Sequence, residues 1–328
     1  MSTTIEEILA PISAEMEQVE AGIARAISDA DERDDRLTHL LRDVEAYKGK
    51  RLRPALVILS GKCLGRTTEQ HIKLAVAVEL IHTAALIHDD IIDGATMRRS
   101  RPTTCFKWGP EISVVLGDFL LSRAFRLIVS LNSLEATRMV LETTQAMCEG
   151  ELRQLARRYD FDLDEQDYLK IIEQKTAALW ATCCKLGAMA TDASNGNPDR
   201  LARYGLSLGI AFQIIDDCLD LIGDETVAGK TLRTDIRKGK LTLPLIHLSS
   251  RVGPSQRRRL KELILGAESD KNIDQLLALL SEHRSIEYSM ERAKAWAGEA
   301  RRMLSGIPDS RNKEHLLKLS DYVVERRR

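Results

Sequence analysis

Two carboxylate triplets of the same shape, Asp89, Asp90 and Asp93, then Asp216, Asp217 and Asp220, are the residues best suited to chemistry in this chain of 328 residues. On a helix, positions three and four apart return to nearly the same face, so each triplet can aim carboxylates to one side. Both copies lie in apolar runs, AALIHDDIID and IAFQIIDDCLD. Carboxylates directed inward from such runs repel and desolvate one another unless something positive compensates. Magnesium accepts carboxylate and phosphate oxygens in octahedral geometry, so bridging Mg²⁺ ions would meet that need while holding a diphosphate. A lone DDxxD reads more simply as a solvated helix end, but two copies in apolar surroundings do not.

Basic residues accompany both triplets. Lys50, Arg51 and Arg53 follow Gly49, Arg98, Arg99 and Arg101 follow the first triplet, and Lys230, Arg237, Lys238 and Lys240 follow the second. Arginine matches phosphate oxygens with a fixed donor fork and lysine adds a mobile point charge. Each cluster alone is equally a solvated patch. Lys175 and Gln213, taken singly, read as a surface lysine and a core-capping amide.

The elements that must position these groups are helices. Ala, Leu, Glu, Arg and Lys are abundant and alternating β-branched patterns are scarce, which predicts an all-α fold. Periodic segments predict helices over 5–30 (broken near Pro11), 35–47, 54–63, 70–93, 110–131, 133–158, 165–191, 198–222, 240–250, 255–266, 270–281, 285–304 and 310–326, with a turn at 61–68 and loops near 192–199 and 223–239. No linker divides the chain, so residues 1–328 are expected to form one bundle domain, with 1–34 as a peripheral N-terminal segment.

Lys plus Arg number 48 and Asp plus Glu 49, so no global charge attracts nucleic acid, and charge matters only where it clusters. The six cysteines form no CxxC pair or zinc spacing and are expected to be packed thiols in a reducing compartment. Residues 1–7 lack a secretory pattern, and no apolar run approaches the roughly 18 residues of a membrane span. The expected location is cytoplasmic, with transient membrane contact for release of a greasy product.

Taken in order, GKRLRP at 49–54, ELIHTAALIHDDIID at 79–93, RRSRPT at 98–103, GDFL at 117–120, KT at 175–176, FQIIDDCLDLIGD at 212–224, GK at 229–230 and DIRKGKLTLP at 235–244 resemble the trans-isoprenyl diphosphate synthases, or polyprenyl synthetases. The resemblance spans roughly 35–250, with compatible helical character beyond. It implies that both triplets bind the Mg²⁺ ions engaging an allylic diphosphate, with Arg98, Lys175, Gln213, Lys230 and Lys240 as its partners. It further implies that Lys50, Arg53, His82 and Arg99 form the isopentenyl-diphosphate pocket, with Arg51 helping to neutralise it. Lys48-Gly49 replaces the usual glycine pair, and Ser100 replaces the small residue after the paired arginines. Those departures bear on loop geometry. A helical bundle and a homodimer are also implied.

Ala84 and Ala85, one turn before Asp89, leave an apolar passage open where short-product relatives place bulky aromatics, which favours C30–C50 products. Two alanines are also ordinary close-packing contacts. Phe125 is a candidate floor of the passage. A geranylgeranyl (C20) synthase shares the same chemistry and stands as the alternative, followed by a noncatalytic regulatory partner of a prenyl synthase, against which the intact Asp, Lys and Arg sites argue.

Overall fold

Proline lacks an N–H, so it is tolerated in the first turn of a helix, where that donor has no partner. Pro110, Pro198 and Pro254 all sit there. The computed structural model describes residues 4–28, 35–191, 197–223 and 232–326. Its helices are α1 (Ile5–Leu9), α2 (Ser13–Ser28), α3 (Asp35–Arg42), α4 (Leu52–Leu64), α5 (Glu69–Ile92), α6 (Thr104–Trp108), α7 (Pro110–Val129), α8 (Leu134–Ala156), α9 (Glu165–Ile172), α10 (Ala178–Met189) and α11 (Pro198–Ile222). They are followed by α12 (Thr234–Arg237), α13 (Leu243–Arg251), α14 (Pro254–Leu265), α15 (Asp270–Glu282), α16 (Ser285–Leu304) and α17 (Arg311–Glu325). The break near Pro11 is a 3₁₀ turn at Ala10–Ile12. The expected helix over 165–191 is interrupted by one turn of π-helix, Glu173–Ala177.

The centre is α5, buried without interruption from Leu74 to Ile81. A helix apolar all round belongs inside a bundle, and α5 packs against α7, α4, α2 and α10. The other long axis, α11, packs against α10 and α16. Each fully buried Leu or Ile in these contacts contributes about 1.5–3 kcal/mol. Gly150 and Gly209 bring the π-turn close to its neighbours. A Cβ at Gly150 would lie 2.5 Å from Lys175 N, and one at Gly209 would lie 2.7 Å from Ala177 Cα. The turn carrying Lys175 is thus seated between α8 and α11.

The N-terminal segment is not peripheral. Ile8, Ile12, Val19 and Ile23 are buried in the main core, because both amphipathic helices turn their apolar stripes onto it. The all-α expectation has one small exception, a hairpin pairing Met97–Arg98 with Arg101–Pro102. Arg99 and Ser100 form its two-residue loop with φ of 50° and 60°, the left-handed pair of a type I′ turn. Ser100 adopts this conformation where glycine would do so without strain. Cys63, Cys183, Cys184 and Cys218 are buried as expected, and Cys148 is exposed. Among the described residues no helix is long and apolar enough to cross a membrane.

Candidate active site

The last turn of α5 splits its triplet. Asp89 and Asp93, four apart, keep to one face, and Asp90 turns inward with 0 % exposure. Arg98 grips Asp90, its Nε donating to Oδ1 and Oδ2 at 3.0 and 3.1 Å and its Nη2 to Oδ1 at 2.6 Å. Tyr47 Oη donates to Asp90 Oδ2 at 2.9 Å. Burial pushes that phenol up to about 12, with the Asp90 charge adding to the rise, so it stays a donor.

Asp93 faces three cations. Lys240 Nζ lies 3.0 and 3.1 Å from its two oxygens, Lys238 Nζ 3.1 Å and Arg158 Nη2 3.7 Å from Oδ1. Burial works against the charge, yet the two lysines hold this carboxyl below its ordinary value. Asp89 is different. Its nearest described cation, Lys175 Nζ, is 3.9 Å away, and burial, reinforced by Glu151 and Asp93, pushes its carboxyl up.

On α11 the middle aspartate again turns inward. Asp217 Oδ2 accepts from Tyr168 Oη at 2.6 Å and Oδ1 from Gln213 Nε2 at 2.8 Å. Gln213 Oε1 in turn accepts from Thr176 Oγ1 at 2.8 Å, tying the triplet to the π-turn. Burial first, then the Asp235 charge, raises Asp217 to about 8. Asp220, also buried, accepts from Asp235 N at 3.3 Å and anchors the loop that delivers Lys238 and Lys240. Asp216 has the most exposed of these three side chains, with Arg326 Nη2 at 3.3 Å. The Arg326 guanidinium stacks 3.8 Å from the Phe212 ring centroid.

Lys175 Nζ contacts Glu151 and donates to Gln154 Oε1 at 3.0 Å. Burial disfavours the ammonium, but Asp89 and Glu151 outweigh it and hold its pKa above the usual lysine value. A π-turn at such a residue is a common functional signature. Lys230 lies outside the described residues. Arg237 turns away, to Asp270 Oδ1 at 2.7 Å and Glu268 O at 3.2 Å.

A second basic cluster gathers around His82 where α4, α5 and the hairpin meet. Burial, followed by the charges of Arg53, Arg99, Arg98 and Arg51, drives the His82 imidazole well below its ordinary pKa, so it is neutral. The Arg53 guanidinium lies 5.7 Å from the Trp180 ring centroid, and its buried Nε has no hydrogen-bond partner. Arg99 donates to Tyr47 O, and Lys50 Nζ is 5.4 Å from the Tyr322 ring of α17. The expected role of Arg51 is corrected. It bonds Glu20 at 2.8 Å and Glu79 at 2.6 Å, so its charge is spent on fastening α2 to α5.

The polyprenyl synthetase family matches residues 34–280. The chain belongs to that family. It is 36 % identical over 278 residues to an octaprenyl diphosphate synthase of Haemophilus influenzae, covering 85 % of this chain and 84 % of that one. Its fold resembles a decaprenyl diphosphate synthase from Rhodobacter capsulatus with a TM-score of 0.91 at 32 % identity, covering 99 % and 100 % of the two chains. A polyprenyl synthase from Caulobacter crescentus, solved in complex with calcium and isoprenyl diphosphate, gives 0.91 at 34 % identity, covering 100 % and 99 %. The all-α fold, the prenyltransferase class and the long-chain relationship are borne out.

In this polyprenyl synthetase the carboxylate whose surroundings best fit a divalent cation is Asp89. The observation is at Asp89, where burial and like charge disfavour ionisation and no described cation comes within hydrogen-bonding distance. Asp90 and Asp217 are the most fully engaged inside the protein, Asp93 is paired with Lys240 and Lys238, and Asp220 accepts from Asp235 N. Among the described residues no three acidic, His or Cys side chains form a ready-made metal cage. Of the chain-length positions, Ala84 is wholly buried, whereas Ala85 and Phe125 are half-buried. Several site residues of the synthetase have no motif to announce them. Glu151 and Gln154 show an i,i+3 spacing on α8 that is legible in sequence, but Tyr47, Tyr168 and Arg326 reach the site only through tertiary packing.

Proposed function

We propose that this polyprenyl synthetase condenses isopentenyl diphosphate with an allylic diphosphate, using Mg²⁺, to give trans-polyprenyl diphosphates of C30–C50. The observation that carries the proposal is the bridge from Lys240 to Asp93, which ties the loop following the second acidic motif to the first motif. Bound at Asp89, Asp93 and Asp216, Mg²⁺ would supply charge neutralisation to the departing diphosphate.

The chain's own groups do the rest. Lys175, Lys240 and Arg98, with Gln213 and Lys230, hold the allylic diphosphate, and their charges favour breaking of the C1–O bond because negative charge accumulates on the leaving group. Lys50, Arg53, Arg99 and neutral His82 hold isopentenyl diphosphate so that its double bond reaches the electron-poor C1. The new bond forms between the allylic C1 and C4 of isopentenyl diphosphate, leaving a cation at the latter's C3; a proton leaves C2 for the released pyrophosphate, the C2–C3 double bond forms, and the chain has grown by five carbons. Exclusion of water once both substrates are bound would keep it from capturing the allylic cation.

Small side chains at Ala84 and Ala85 and the likeness to octaprenyl and decaprenyl synthases support a long product. Mass spectrometry of products made from isopentenyl diphosphate and separate C5, C10, C15 and C20 primers tests this. A dominant C30–C50 series is expected, and termination at C20 would assign the shorter-chain reading.

The proposal includes a homodimer. Leu134, Leu141 and Leu152 on α8 and Ile112 and Val115 on α7 are exposed at 85, 49, 65, 40 and 66 %, an apolar face that a second copy would cover. A cytoplasmic location, with transient membrane contact at product release, follows from unpaired thiols and a water-insoluble product.

A further inference from the structure

Arg158 belongs to none of the motifs that carry the family resemblance, and it stands just past the end of α8. The chain is made to put it there. Tyr159 adopts a left-handed φ of 58° and donates its N–H to Gly239 O at 2.8 Å. Gly239 has a φ of 68°, and a Cβ there would sit 2.5 Å from the Tyr159 ring. This clasp fixes the end of α8 against the loop carrying Lys238 and Lys240, and so fixes Arg158 beside them.

Once there, Arg158 has no adequate acceptor. Its Nε and Nη2 are shut off from solvent and make no hydrogen bond, and the nearest carboxylate oxygen, Asp93 Oδ1, is 3.7 Å away. Asp93 is already engaged by Lys240 and Lys238. Lys240 has Asp235 Oδ1 at 3.7 Å as a second partner, whereas Arg158 is left only weakly paired, and its buried donors without acceptors are costly. An anion with several oxygens would correct both, and an arginine fork suits a diphosphate.

We infer that Arg158 is a further diphosphate-binding residue, acting on the allylic diphosphate and on the pyrophosphate it releases. The inference rests on the proposed condensation for its substrate, but its site is defined by Asp93 and the lysines. The charges that act most on His82 are those of Arg53, Arg99, Arg98 and Arg51, not Arg158, so isopentenyl diphosphate is not its expected ligand.

The test is calorimetric binding of inorganic pyrophosphate with Mg²⁺, together with KM values for both substrates, in wild type, Arg158→Ala, Arg158→Gln and Arg158→Lys. Loss of one charge-assisted contact is expected to weaken pyrophosphate binding and raise the allylic KM roughly ten- to a hundredfold, with the isopentenyl-diphosphate KM unchanged. Lysine should restore part of the loss. Arg158→Gln keeps the stem and guards against a folding defect, which thermal melting checks. Wild-type pyrophosphate affinity in the Gln variant, or equal rises in both KM values, would overturn the inference. If the wild type binds pyrophosphate but elongates nothing, the proposed function fails, and the binding comparison still decides Arg158.

Discussion

Lys240 Nζ sits 3.0 and 3.1 Å from the two oxygens of Asp93, a carboxylate 147 residues earlier in the chain. The contact joins the loop after the second acidic motif to the last turn of α5. It keeps Asp93 ionised and holds a cation where the leaving diphosphate would lie.

Replacing Lys240 should therefore cost activity more than stability. Lys240→Gln is expected to lower kcat/KM for the allylic substrate by about 10²-fold or more, the scale of losing one preorganised charge at a developing anion. Lys238 remains on Asp93, so the thermal midpoint should move little. Steady-state kinetics beside a melting curve checks this, and a large loss of stability with unchanged kcat/KM would refute it.

Asp217 predicts a pH dependence of stability in metal-free protein. Burial, with Asp235 and Asp216, raises its pKa from 3.8 to about 8. Between those values the folded protein retains a proton that the unfolded chain has released. Its contribution is thus complete below about pH 4 and lost as pH rises to about 8. Asp217→Asn mimics the protonated acid, so urea unfolding in EDTA at pH 5, 7 and 9 should give a flatter profile than wild type. Parallel profiles would count against the raised pKa.

Chain length is expected to answer to the face of α5 below Asp89. Ala84→Phe and Ala85→Phe should both shorten the products, and Phe125→Ala should lengthen them if its ring forms the floor. Ala84 has no exposed surface, so its enlargement should also cost about 1–3 kcal/mol through overpacking, whereas Ala85 has room. Product mass spectra and denaturant unfolding separate the two effects, and an unchanged distribution for Phe125→Ala would remove Phe125 as the floor.

The exposed stripe on α8 predicts self-association. Leu141→Glu places a charge in its middle, and light scattering should show the mass falling from about two chains to one as desolvation of that charge opposes assembly. A wild-type mass of one chain would refute the dimer.

The bundle was legible in sequence because helix period and proline position are local properties. Helix ends predicted for residues 70–93, 198–222 and 285–304 lie within a residue or so of those observed. The two triplets and their flanking cations were legible for the same reason, since i,i+3 and i,i+4 spacing fixes a face. Sequence alone did not tell Asp89 from Asp90, or Asp216 from Asp217, because a carboxylate's task depends on what packs behind it. Tyr47 and Arg98 claim Asp90, Tyr168 and Gln213 claim Asp217, and Glu20 and Glu79 claim Arg51. Gln213 and Arg98 lie four and eight residues from their aspartates, but Tyr47, Tyr168, Glu20 and Glu79 come from elements distant in sequence, and only the tertiary arrangement brings them within hydrogen-bonding reach. What the sequence determined was the inventory of charge and the helices that carry it. What the tertiary structure decided was which charges are spent inside the protein and which are held at the site, because burial and pairing are settled by packing between elements far apart in the chain.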